Sequence, residues 1–291
     1  MGIFRSLLFV TAHRESMVAK AHTHRADVIV LDLEESVPAA EKAAARECAA
    51  RHIAELRGSG ALVYARINDA ESGIMRDDLM TVVAKDLTGV VLPKADSPQD
   101  VRDMDVLLRE AEMANGVRPG DVGVITMIES PRGLLRCEEI VEATDRIVGL
   151  ALGAYDYTNE LGVPRTREGT AIAHLRYEIA TIAAAYGVIA IDTPYADIED
   201  EEGLAAETEF VKAVGFKAKF AVHPKQVAAI NRIFAPTEAE LAEAKRIIEE
   251  FDAGVSAGRG AVSVGGRMVD GPIAARARRL IELADQIAGR E

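Results

Sequence analysis

Cysteine is scarce in this chain: Cys48 and Cys137 are the only two among 291 residues, and neither belongs to a ligand-spaced cluster. That excludes a disulfide framework and a thiolate zinc site, and points to a reducing, cytoplasmic compartment. Long apolar runs are also missing. No segment approaches the roughly 18 residues needed to span a bilayer, and Arg5, His13 and Arg14 flank the short SLLFV run too closely for a signal peptide. Membrane association is therefore not expected. Basic charge is short as well, with 34 Lys and Arg against 47 Asp and Glu and a formal net charge of −13. The cations are scattered, so no stripe tracks a phosphate backbone and nucleic acid is not an expected partner. Low-complexity segments are absent. GVSAGRG, which neither follows a strand nor opens a helix, fails the context a dinucleotide fingerprint requires.

What the sequence does contain is an alternation of short aliphatic runs with longer amphipathic ones, 49% of its residues being hydrophobic. SLLFV (6–10), DVIVLDL (27–33), ALVYARI (61–67), GVVLPK (89–94), VGVITMIE (122–129), RIVGLALG (146–153), VIAID (188–192) and KFAVHP (219–224) read as fully buried strands. Helical patterns such as 38–56, entered through Pro38, and 173–187, closed by Gly187, lie between them. Eight such units over about 235 residues predict an α/β fold, a (β/α)8 TIM barrel, in preference to an open sheet. The barrel is expected over residues 1–235 and a C-terminal helical extension over 236–291. The extension comprises a helix (236–254), a Gly-rich hairpin-like segment (255–271) and a last amphipathic helix. It is too short for a domain of its own and is expected to pack on the barrel or on a neighbouring subunit.

In such a barrel the active site lies at the carboxyl ends of the strands. Those ends carry Asp32 and Glu34, Arg66 and Asn68, Lys94, Glu129, Asp156, Asp192 and His223, one functional type after nearly every apolar run. Glu129 and Asp156 close consecutive strands, and neighbouring strands lie about 4.8 Å apart, within reach of one ion. Hard oxygen ligands without Cys or His suit Mg2+. The alternative for Glu129 is a cap on the helix opened by Ser130 and Pro131. Asp32 and Glu34 share one side-chain parity and are expected to face inward with Glu35 outward, so that Glu34→Gln disturbs activity more than Glu35→Gln. They either support metal-bound waters or serve as charge partners of Arg66 and Lys94. Arg66 suits a carboxylate clamp. Lys94 is a Schiff-base candidate only if the acids around it fail to keep it protonated. His223, ahead of Pro224, is either a base or a loop-positioning residue.

RSLLFV, ADVIVLDLEESVP, ARIND, VVLPKAD, MIESPRG, GLALGAYDYTNELG, GFKAKFAVHPKQVAAINRIFAP and GGRMVDGP follow one another in an order that resembles the HpcH/HpaI aldolase and citrate lyase β-subunit superfamily. Within it, the pattern is most similar to CitE-like malyl-CoA and citramalyl-CoA lyases. The resemblance implies a TIM barrel whose extension reaches a neighbouring copy in a homotrimer or hexamer. By it, Glu129 and Asp156 are Mg2+ ligands, with Glu129 also at the substrate, Arg66 clamps a 2-oxo-acid carboxylate, and Asp32 and Glu34 form an acidic shell. Phe9, Arg14 and Lys20 correspond to coenzyme A contacts, and Asp270 to an acid/base placed over the next subunit's site. The implied reaction is Mg2+-dependent carbon–carbon cleavage of a malyl-, methylmalyl-, citramalyl- or citryl-CoA into a 2-oxo acid and an acyl-CoA. The alternatives are a citrate lyase β subunit acting on an acyl-carrier-protein thioester and a CoA-free aldolase of 2-keto acids.

Overall fold

The computed structural model describes residues 3–289. Eight parallel strands close into a barrel in sequence order: β1 (Ser6–Thr11), β2 (Val28–Asp32), β3 (Leu62–Arg66), β4 (Gly89–Leu92), β5 (Gly123–Ile128), β6 (Ile147–Leu152), β7 (Ile189–Asp192) and β8 (Ala218–Ala221). Six of the predicted runs hold a strand, trimmed by a residue or two at the ends; β1 runs one residue past its predicted run, and β8 starts one residue before its own and ends three residues short. Around them run α1 (Glu15–Val18), α2 (Lys42–Gly58), α3 (Met75–Val82), α4 (Pro98–Ala114), α5 (Pro131–Leu135), α6 (Cys137–Val141), α7 (Ala154–Glu160), α8 (Ala173–Tyr186), α9 (Glu201–Val214) and α10 (Pro224–Phe234). The helix expected from Pro38 begins instead as a 3-10 turn, Ala39–Glu41, and becomes α-helical at Lys42.

Alternation along the strands decides which side chains enter the barrel. Leu7, Val28, Val30, Tyr64, Val91, Ile125, Met127, Ala151, Ile191 and Phe220 form its buried core. Tyr64 fits only because Gly89 faces it on the adjacent strand; a Cβ there would overlap the ring. Strand register sets the next level up: Thr11 pairs with Asp32 and Asp32 with Arg66, which brings the acid and the guanidinium side by side at the carboxyl rim.

The same alternation corrects the expectation for Asp192. Ile189 and Ile191 pack with the barrel core, so Asp192 points outward to the helix layer. There it is fully buried, held by Arg176 Nε at 2.9 Å and by Lys219 Nζ at 2.6 Å, and both cations also reach Glu207. Burial pushes both acids up, and the neighbouring cations outweigh it and hold them below the usual carboxylate range. Groups depressed in the folded state stabilise it above their unfolded pKa and lose that contribution as pH falls through the folded value. The melting temperature is therefore expected to drop between about pH 5 and about pH 3, and to drop less in Asp192→Asn. Equal acid sensitivity of the two proteins would contradict this. At the opposite end of the strands, Arg5–Asp27 and Arg146–Glu112 are further buried pairs, on the face where barrels carry stability rather than chemistry.

Residues 233–289 form a second compact unit, which Ile3 joins. In it α11 (Glu238–Ser256) starts at a Thr237–Glu240 capping box, β9 (Val262–Val264) and β10 (Arg267–Val269) form an antiparallel hairpin, and α12 (Gly271–Ala288) packs against α11. Among the described residues no helix is long and apolar enough to cross a membrane.

Candidate active site

Glu129 directly follows β5 and points into the barrel, almost fully buried. It is not the cap of α5: Ser130 accepts the Gly133 N–H at 2.8 Å and takes that role. The Glu129 carboxylate instead accepts the Lys94 backbone N–H at 2.8 Å. Burial, joined by repulsion from Asp156 and Glu34, pushes it up to about 7 despite that hydrogen bond and the nearby Arg66. Asp156 lies not on the strand but in the first turn of α7, half-buried, three residues past Gly153.

Two cavities meet at these acids, and Glu129 and Asp156 line both. One, of about 470 Å3, is bordered by Asp69, Glu71, Asp96, Asp100 and Glu160, with Lys94 and Arg132 as its cations. The other, of about 480 Å3, is more apolar, bordered by Phe9, Met17, Met127, Tyr155, Pro194 and Val222, with Arg66 at its floor.

Arg66 is fixed from several sides. Its Nε and Nη2 donate to the two Asp32 oxygens at 2.7 Å each, Nη1 lies 3.2 Å from Glu34, and the guanidinium sits 4.7 Å over the Phe9 ring. Phe9 is in turn stacked on Phe220. Burial disfavours both charges, but the bidentate pair outweighs it, so Asp32 is held below its ordinary range and Arg66 stays charged. Asp32 is thus committed to orienting Arg66. Glu34 joins the two cations, reaching Lys94 Nζ at 2.9 Å as well as Arg66. Lys94, which also lies 3.4 Å from Asp69, has its pKa raised by these acids against the cost of burial, as expected for a paired ammonium and not for a Schiff-base amine.

Glu35 departs from expectation. It lines the apolar cavity with Asp32 and Arg66, and burial, then Glu34 and Asp156, raise its pKa. Strand alternation stops at Asp32: the Asp32 carboxylate accepts the Glu34 N–H, Val37 N–H returns to the Glu34 carbonyl, and this turn points Glu34 and Glu35 to the same rim. Glu34→Gln is still expected to cost more activity than Glu35→Gln, because only Glu34 joins Arg66 to Lys94; equal losses in kcat/KM would contradict that.

Arg14 and Lys20 are exposed on the segment after β1, beside Met17 of the apolar cavity. His223 accepts the Lys225 N–H through Nδ1, a loop contact. Asp270 belongs to the C-terminal unit, where it caps α12 by accepting the Ile273 N–H at 3.3 Å. Sequence reasoning did not single out Gly153, Tyr155 or Thr193, which also line the apolar cavity; their signal was only their place just past β6 and β7.

A closed parallel barrel whose charged side chains converge at the carboxyl ends of its strands is the architecture of an enzyme. Residues 5–224 match the model of the HpcH/HpaI aldolase/citrate lyase family, and the chain belongs to that family. It is 37% identical over 289 residues to the citrate lyase subunit beta of Escherichia coli, covering 99% of this chain and 95% of that one. It is 31% identical over 304 residues to the L-malyl-CoA/beta-methylmalyl-CoA lyase of Cereibacter sphaeroides, covering 98% and 95%. Among solved structures, CitE of Mycobacterium tuberculosis in complex with magnesium, acetoacetate and coenzyme A superimposes with a TM-score of 0.76 at 32% identity, over 97% of this chain and 98% of that one. The chain is a lyase of this family.

Proposed function

We propose that the protein is a Mg2+-dependent carbon–carbon lyase that cleaves a 3-hydroxy-3-carboxy acyl-CoA into a 2-oxo acid and an acyl-CoA. The observation that carries this reading is the pair Glu129 and Asp156 at the junction of two cavities, next to an immobilised Arg66. The donor set fits the ion: Glu129 and Asp156 are hard carboxylates, and among the described residues no His or Cys lines either cavity. Two carboxylates that leave positions for water and substrate oxygens suit Mg2+. A cation there also relieves the repulsion between Glu129 and Asp156. When bound, Mg2+ supplies Lewis-acid polarisation of the substrate oxygens.

The remaining work falls to side chains. Arg66, its fork already aligned by Asp32 and Glu34, holds the carboxylate of the 2-oxo-acid half. The apolar cavity takes the acyl thioester, and the phosphates leave toward Arg14 and Lys20, away from the acid-lined cavity that repels them. As the carbon–carbon bond breaks, the hydroxyl proton passes to water, the bond electrons pass to the acyl α-carbon, and that carbon takes a proton from Asp270 of a neighbouring copy in a homotrimer or hexamer, the acid being restored from water so that no net proton is gained or lost. Relatives named citrate lyase subunit beta favour a second reading, in which an acyl-carrier protein replaces CoA.

The distinguishing experiment offers the purified chain citryl, malyl and citramalyl groups as CoA thioesters and as carrier-protein thioesters. Release of 2-oxo acid from a CoA thioester is expected. Turnover of carrier-bound groups alone would select the second reading, and turnover only of free hydroxy keto acids would overturn both.

A further inference from the structure

We propose that Gly153 is a positioning residue for the Glu129 carboxylate, there because any side chain would occupy the space that carboxylate needs. The inference rests on the metal reading above. A Cβ built on Gly153 overlaps Glu129 Cγ and Oε1 and falls 2.8 Å from Cδ, inside the 3.0 Å that real Cβ atoms keep. The φ of Gly153 is −102°, an angle open to any residue, so a left-handed backbone does not explain the glycine.

Two further features make Glu129, and not the main chain, the part that yields. The Gly153 backbone is held at both ends: its N–H donates to the Ile128 carbonyl at 3.0 Å, and its carbonyl accepts the Tyr157 N–H at 3.2 Å. The next residue is pinned in the same way, Ala154 N–H reaching Thr193 Oγ1 at 3.4 Å. On its other side Glu129 is fastened by the Lys94 N–H, presented from a left-handed backbone with φ +50°. The carboxylate is therefore gripped between the Lys94 amide and the bare Cα of Gly153. Gly153 also opens α7, which carries Asp156 in its first turn, so one residue sets both ligands relative to each other. A methyl group at 153 pushes Glu129 off the Lys94 amide and out of line with Asp156.

The test is a double-mutant cycle read by Mn2+ affinity and by thermal melting, neither of which needs turnover. Gly153→Ala is expected to weaken Mn2+ about tenfold or more, the range for residues that orient metal ligands, and to lower the melting temperature. In a Glu129→Ala background the three atoms nearest the methyl, all of Glu129, are gone, so Gly153→Ala is expected to leave the melting temperature unchanged there; this arm holds even if Gly153→Ala alone does not fold. Native Mn2+ affinity in folded Gly153→Ala, or the same melting loss with and without Glu129, overturns the positioning role. Native Mn2+ affinity in Glu129→Ala alone is a different outcome: it removes the metal assignment itself.

Discussion

Glu129→Ala is expected to lower kcat/KM for thioester cleavage by about 10^3-fold, or ~4 kcal/mol of transition-state stabilisation, without loss of fold. Two contributions disappear together. The substitution removes one of the two carboxylates proposed to hold the cation, and with it, among the described residues, the only side chain that lines both cavities from a strand end inside the barrel. The fold survives because Glu129 is no asset to stability in the absence of a cation: burial and its acidic neighbours push its pKa up to about 7. The variant should therefore melt no lower than the parent in metal-free buffer. A severely destabilised Glu129→Ala would show instead that the residue is a structural member of the barrel.

The second large effect lies away from the chemistry. Lys219→Met is expected to cost ~3–5 kcal/mol of unfolding free energy, the usual range when one partner of a buried ion pair is removed. Lys219 Nζ is fully buried and donates to Asp192 at 2.6 Å, to the Thr193 carbonyl at 2.6 Å and to Glu207 at 2.8 Å. Without it two buried acids share the single guanidinium of Arg176, with Arg165 3.6 Å from Glu207. Denaturant midpoints of the two proteins measure the difference. A shift equivalent to less than about 1 kcal/mol, the value of an exposed pair, would contradict the network's role. Because Lys219 also fixes Thr193, which lines the apolar cavity, some loss of activity should accompany the loss of stability.

Asp192 and Lys219 also mark where sequence reading stopped. The aliphatic runs disclosed all eight strands, because strands buried on both faces are continuously apolar. The strand-end rule then placed Glu129, Arg66 and Asp32 at the rim correctly. It failed at Asp192, since ending a strand does not decide which face a side chain takes, and only the inward packing of Ile189 and Ile191 does. For Glu35 the error ran the other way: alternation was carried past Asp32 into a turn where it no longer applies. Gly153 was illegible for a third reason. Its part is an absence of atoms beside a side chain 24 positions earlier in the chain, and such a requirement exists only once β5 and β6 are adjacent.

If Glu129 and Asp156 form a divalent-cation site that drives thioester cleavage, the reaction needs both carboxylates and the ion. Metal-free protein is titrated with Mg2+ while release of 2-oxo acid from the thioester it cleaves is followed, beside Glu129→Ala and Asp156→Ala. No release without the ion, saturation in the parent and no rescue of either variant by added Mg2+ are expected. Release at the parent rate in the presence of excess chelator, or from either variant, would contradict that requirement.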